Sequence, residues 1–278
     1  RLGELAGMAR FGIVGDNRLG LSMPAMRSIA KTLGQDHALA TALWDTGIPD
    51  ARIVAGMVAE PARLTSRQMD AWARDFASWD VCDQVCGSAF LASPLAWRKV
   101  PVWAGRQDEF VRRAAFALLA TMAVHDKAAS NAPFMDALNV IEAAADDERN
   151  FVKKAVNWAL RNIGKRNQAL NGAAITLARE IQTLPAKPAR WIASDALREL
   201  TSDKIQQRLA RRKWRTAYVH RRHAKEQRVT KRSSDRDHPR RTACEKSRDS
   251  TPGGPARCVE RAGIRLSAAR RSRAGQRY

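Results

Sequence analysis

Asp83 stands four positions after Trp79 in the run Ser78-Trp79-Asp80-Val81-Cys82-Asp83. On a helix these two side chains share a face, which sets a carboxylate beside an indole. A fixed carboxylate stabilises positive charge that develops in a transition state, so the pair suits chemistry that builds a cation. The same spacing also fits a core tryptophan with an aspartate that caps a helix or closes an ion pair. Lys154, Trp158 and Arg161 recur at i, i+4 and i+7, one stripe of a helix. Cations flanking an exposed indole suit a nucleic-acid backbone, with a sugar or base laid against the ring. A tryptophan packed in the core beneath a lysine-covered helix would leave the same pattern. In Arg112-Arg113, only one side chain can point to the face that Ala114 and Phe116 do not use. The planar guanidinium fork matches a phosphate; a solvated surface arginine is the alternative. His37 and the cluster His125-Asp126-Lys127 are read as helix-surface and loop residues. Gly12, Gly15 and Gly20 lack the spacing of a phosphate loop, and no strand precedes them.

The elements that must position these residues declare themselves by repetition. Phe110-Val-Arg-Arg-Ala-Ala-Phe-Ala-Leu recurs 41 positions later as Phe151-Val-Lys-Lys-Ala-Val-Asn-Trp-Ala-Leu. Another 40 positions lead to Trp191-Ile-Ala-Ser-Asp-Ala-Leu-Arg-Glu-Leu, and Ala51-Arg-Ile-Val-Ala-Gly-Met-Val reads as an earlier member. Up to about Asp203 apolar residues recur at helical spacing, and alternating strand-like runs are few. Proline marks plausible helix breaks at Ser22-Met-Pro, Gly47-Ile-Pro, Glu60-Pro, Ser93-Pro, Ala132-Pro and Leu184-Pro. Thr65-Ser-Arg-Gln reads as a capping box. A period near 40 with two helices per unit fits HEAT-type repeats, which bury a core only by stacking on neighbours. The expected architecture is therefore an all-α solenoid with a concave face. An irregular helical bundle with chance similarity is the competing reading.

Charge divides the chain. Of the net +21, +17 falls after residue 202, where 24 Lys and Arg face 7 Asp and Glu. Residues 1–202 are expected to form the folded domain. Residues 203–278, poor in apolar side chains and rich in basic clusters such as Arg211-Arg-Lys and Arg270-Arg-Ser-Arg, are expected to be a mostly disordered tail. Helix continuing to about Tyr218 is allowed for. The tail could reinforce phosphate binding or be an extension with no selected role. Cys82, Cys86, Cys244 and Cys258 have no matching ligand pair at zinc spacing and read as reduced thiols of a cytoplasmic protein. No apolar run approaches the ~18–20 residues that span a bilayer. The chain begins at Arg1 rather than Met, which leaves open a preceding segment.

Taken together, Leu43-Trp-Asp-Thr-Gly, Ser78-Trp-Asp-Val-Cys-Asp, Phe110-Val-Arg-Arg-Ala-Ala and Phe151-Val-Lys-Lys-Ala-Val-Asn-Trp-Ala-Leu-Arg resemble the AlkD-type DNA alkylation repair glycosylases. The resemblance runs from about Met8 to Leu200, with the motifs in the family's order. It implies a HEAT-like solenoid holding duplex DNA and excising cationic N3- and N7-alkylated purines, without metal or cofactor. Carried across by motif, Asp83 corresponds to the catalytic aspartate, Trp79 and Trp158 to two cleft tryptophans, and Arg113 to a cleft arginine. Phe11, in Met8-Ala-Arg-Phe-Gly, falls where relatives have a tyrosine, so that hydroxyl contact is lost. An alkylated purine is already a good leaving group, so a carboxylate near C1′ needs only to stabilise the oxocarbenium-like sugar. Arg113, Lys154 and Arg161 are expected to hold phosphates. No lysine is assigned as an amine nucleophile, which implies a monofunctional glycosylase that leaves an abasic site. A monomer associated with the bacterial nucleoid is the expected form. The rival readings are a noncatalytic binder of branched or damaged DNA on the same scaffold, and a HEAT-repeat protein-interaction scaffold. Retention of Asp83 argues against the first and the helix-borne cations against the second.

Overall fold

The computed structural model describes residues 17–211, together with Gly7 and Ile13. Phe11 and the expected tail from residue 212 onward, with Cys244 and Cys258, lie outside the described residues. Within them all regular secondary structure is helical. In chain order the helices are α1 (Met23–Leu33), α2 (His37–Asp45), α3 (Pro49–Val58), α4 (Ser66–Arg74), α5 (Trp79–Val85), α6 (Ala96–Ala104), α7 (Glu109–His125), α8 (Ala132–Glu142), α9 (Asn150–Gly164), α10 (Gln168–Gln182) and α11 (Lys187–Leu200). Residues 203–211 are also helical, with Ile205 and Leu209 buried.

Helix ends follow local chemistry. Ser22, Asp36, Thr65 and Asn167 cap α1, α2, α4 and α10 by accepting a backbone N–H from their own first turn. The Thr65 cap forms as the sequence suggests, but the Gln68 side chain does not fold back on it. That amide instead donates to Thr41 Oγ1 and meets His37 Nε2, linking α4 to α2. Proline stands in the first turn of α1, α3, α8 and α11, where a missing N–H costs nothing. Pro101 lies inside α6, where the period analysis placed no break.

The helices stack as a two-layer α-solenoid. One row is α3, α5, α7, α9 and α11, each packed on the next; α2, α6 and α10 pair with members of this row from the other side. The repeat seen in the sequence is physical: Phe110 and Phe151, at matching positions of α7 and α9, pack with ring centroids 5.5 Å apart. α7 is the centre of the stack. Val111 and every residue from Arg113 to Ala123 are buried, so it packs on all sides. Successive units are stitched by polar contacts. Asn162 on α9 donates to the Ala120 carbonyl of α7 at 3.1 Å. Trp44 donates its indole N–H to Asp75 at 2.8 Å and stacks on Trp72 at 4.2 Å. The Leu43-Trp-Asp motif therefore serves packing. No helix among the described residues is long and apolar enough to cross a membrane.

Candidate nucleic-acid interface

Three consecutive helices of one row contribute to a cavity of about 370 Å³. Its walls are Trp79 and Asp83 from α5, Arg113 from α7, and Phe151, Lys154 and Trp158 from α9. Five of these six are residues singled out from the sequence, brought together although they span some 80 positions. The repeat does this: equivalent positions on stacked helices must fall side by side.

Among the described residues Asp83 is the only carboxylate in the cavity wall. Arg113 grips it with both arms of its fork, Nε to Oδ1 at 3.0 Å and Nη2 to Oδ2 at 2.7 Å. The third nitrogen, Nη1, donates to the Phe151 carbonyl at 2.6 Å. One arginine thus ties α5, α7 and α9 together and fixes the plane of the carboxylate. The Asp83 side chain keeps 14% of its exposure and that of Arg113 only 7%, so what remains open on the carboxylate faces the cavity. Burial raises the Asp83 carboxyl above the usual carboxylate range, and Arg113 offsets part of that rise. For Arg113 burial works against the charge, but Asp83 outweighs it and holds the guanidinium more firmly protonated. Bidentate donation to both oxygens is the geometry of an ionised pair.

A short π-helical segment, Cys86–Phe90, follows α5 directly. Leu91 donates to the Cys86 carbonyl at 2.9 Å in the wider i→i+5 register. Such insertions re-aim the residues around them, here one turn beyond Asp83. At the other end Arg18 donates to Asp80 at 2.8 Å and to Ser78 Oγ at 3.0 Å. Asp50 accepts from the Leu19 and Leu21 amides. The segment before α1 is thereby strapped to the start of α5. Cys82 and Cys86 are buried and unbridged, and burial pushes the Cys82 thiol well above its ordinary range.

The sequence-derived cations separate into three situations. Lys154 is exposed, lines the cavity and takes part in no ion pair among the described residues. Arg113 is turned inward to Asp83 rather than out to solvent. Arg161 lies outside the cavity wall and is held by Asp195 and Glu199, both at 3.1 Å. Those carboxylates sit at i, i+4 on α11, a spacing that could have announced the pairing. Arg112, the neighbour of Arg113, meets Asp147 at 3.3 Å, and Asp147 also binds Arg149 at 2.6 Å. Sequence reading missed this clamp at the starts of α7 and α9, and it missed Phe151 as a wall residue. The repeated segment contains Phe151, but an aromatic at that place reads as core. His37 and His125-Asp126-Lys127 contribute nothing to the cavity wall. No group of three or more His, Cys, Asp or Glu among the described residues is placed to hold a metal ion.

The family model described as DNA alkylation repair enzyme matches residues 2–200. Among solved structures the chain is similar to a member of a family related to the HEAT-like repeat DNA glycosylases with affinity for branched DNA structures. The likeness has 22% identity and a TM-score of 0.58, covering 64% of this chain and 77% of that one. A designed armadillo repeat protein aligns with 19% identity and a TM-score of 0.30, over 71% of this chain and 100% of that one. Comparison with curated proteins gives no match.

Proposed function

The chain belongs to the DNA alkylation repair enzyme family, and from that premise we propose that it is a monofunctional DNA glycosylase. Its substrate is duplex DNA carrying cationic alkylated purines of the 3-methyladenine and 7-methylguanine type. It hydrolyses the N-glycosidic bond and leaves an abasic site. The observation that carries this reading is the Asp83 carboxylate, fixed by Arg113 in a cavity flanked by Trp79 and Trp158.

The mechanism follows from that arrangement. The alkylated base leaves as a neutral purine, so no strong acid is required. Positive charge passes to the deoxyribose as the C1′–N bond lengthens. Asp83, with its plane locked by Arg113, stabilises that charge without reorganising. It also orients the water that adds at C1′. The indoles of Trp79 and Trp158 attract a cationic base or sugar more than a neutral one. Lys154 holds a phosphate and sets register. Arg113 acts through Asp83 and is a positioning residue.

The test is incubation of the full chain with methylated duplex DNA. Release of free methylated purine, with strands that break only on later alkaline treatment, supports the reading. Tight DNA binding without base release replaces it with a noncatalytic DNA-structure binder.

A further inference from the structure

Trp191 is the only aromatic among the large hydrophobic side chains exposed in the described residues, with 42% of its surface in solvent. Its place on the helix next to the cavity makes that exposure informative. Trp191 follows Phe151 by 40 positions, but it stands three places further into α11 than Phe110 and Phe151 stand in α7 and α9. Phe110 and Phe151 pack on each other, and Phe151 forms part of the cavity wall. Trp191 lies on the next helix of the same row, where it meets Lys153 of α9 and its indole faces water.

The helix contacts place it beside the cavity. On α9 the stripe Phe151, Lys154 and Trp158 lines the cavity. The adjoining stripe, Lys153, Asn157 and Arg161, meets α11 at Trp191, Asp195 and Glu199. Lys153 sets its Nζ 5.0 Å from the centre of the Trp191 ring. Lys153, Lys154, Lys187 and Arg190 form no salt bridge among the described residues, so their charge is available to an anion. The nearby carboxylates are already engaged. Asp195 is held by Asn157, Arg161 and Arg198, and Glu199 by Arg161 and Lys165. They do not repel a phosphate.

We infer that Trp191 and Lys153 form a second nucleotide platform on α11, which stacks an unpaired base of the DNA strand next to the cavity. This rests on the proposed function, because it requires DNA in the cavity. An exposed indole stacks on any base face, whereas a paired base buried in the duplex offers none. The lysine beside it takes the phosphate of the same nucleotide. The platform therefore favours DNA whose pairing is interrupted near the lesion.

The experiment measures equilibrium affinity of the full chain for two labelled DNAs of the same sequence, one fully paired and one with a short bulge of unpaired bases. Trp191→Ala should weaken binding to the bulged duplex by roughly fivefold or more while leaving the paired duplex within about twofold. Trp191→Phe, which keeps a stacking face, should retain most of the preference. Lys153→Met, which removes the phosphate contact of the stacked nucleotide, should weaken the bulged duplex more than the paired one. Equal affinity of wild type and Trp191→Ala for the bulged duplex overturns the inference, and so does an equal loss on both DNAs. Binding to neither DNA overturns the proposed function with it. Base release without any bulge preference overturns the platform alone.

Discussion

Replacing Arg113 by methionine should destabilise the fold strongly, and more so as pH rises. The side chains of Arg113 and Asp83 retain 7% and 14% exposure, so solvent screens the pair little. Removing Arg113 leaves a buried carboxylate without its two guanidinium donors and the Phe151 carbonyl without the Nη1 donor. Loss of one partner of a buried pair costs about 3–5 kcal/mol. The carboxylate can escape part of that penalty by taking up a proton. Burial already raises the Asp83 carboxyl above its ordinary range, and Arg113 is what opposes the rise. In Arg113→Met the rise is larger still. A raised folded-state value means that stability is fully present below the unfolded value and is lost as pH rises through the folded one. The gap between wild type and variant should therefore widen from mildly acidic to alkaline pH. Urea unfolding at several pH values measures it. The double variant Asp83→Asn with Arg113→Met removes both charges and should be more stable than Arg113→Met alone at alkaline pH. A loss below about 1 kcal/mol, or one that does not change with pH, would refute the claim that Arg113 stabilises a buried anion.

Other outcomes follow from neighbouring contacts. Lys154→Ala should weaken binding to any duplex and lower the slope of log affinity against log salt by about 1, because one phosphate contact is lost. Gly164→Ala should lower the thermal midpoint despite better helix propensity. A methyl there would lie 2.7 Å from both Leu200 methyls and 3.0 Å from Ala174, and overpacking at about 1–3 kcal/mol outweighs the ~1 kcal/mol propensity gain. Adding Leu200→Ala should recover part of that loss, relative to Leu200→Ala alone. Arg149 and Arg112 hold the Asp147 carboxyl below its ordinary range. Its contribution is present above the unfolded value and is lost as pH falls through the folded one. Asp147→Asn should therefore narrow the gap to wild type as the pH of acid unfolding falls.

Much of the architecture was legible because stacking copies a pattern. The recurrence of Phe110 at Phe151 and Trp191 predicts neighbouring helices, and the structure places them in one row. The same logic assembled Trp79, Asp83, Arg113, Lys154 and Trp158 around one cavity. What periodicity could not deliver was the partner of each charge. Arg113 and Arg161 look alike in the sequence, yet one braces Asp83 and the other is held by Asp195 and Glu199. Pairing depends on which carboxylate the next helix brings within reach, and that is set by packing offsets rather than by spacing within one helix. Trp44 shows the reverse: as part of a recognisable motif it looks functional, but its ring is buried against Trp72 and its N–H serves Asp75.

The central claim is that Asp83 is the electrostatic catalyst of base excision. Single-turnover release of methylated purines from duplex DNA, comparing wild type with Asp83→Asn at matched fractional DNA occupancy, tests it directly. Asparagine keeps the shape and removes the charge. The account predicts release by the wild type and a rate lowered roughly tenfold or more in the variant, with similar DNA affinity. Equal rates in the two proteins would contradict it.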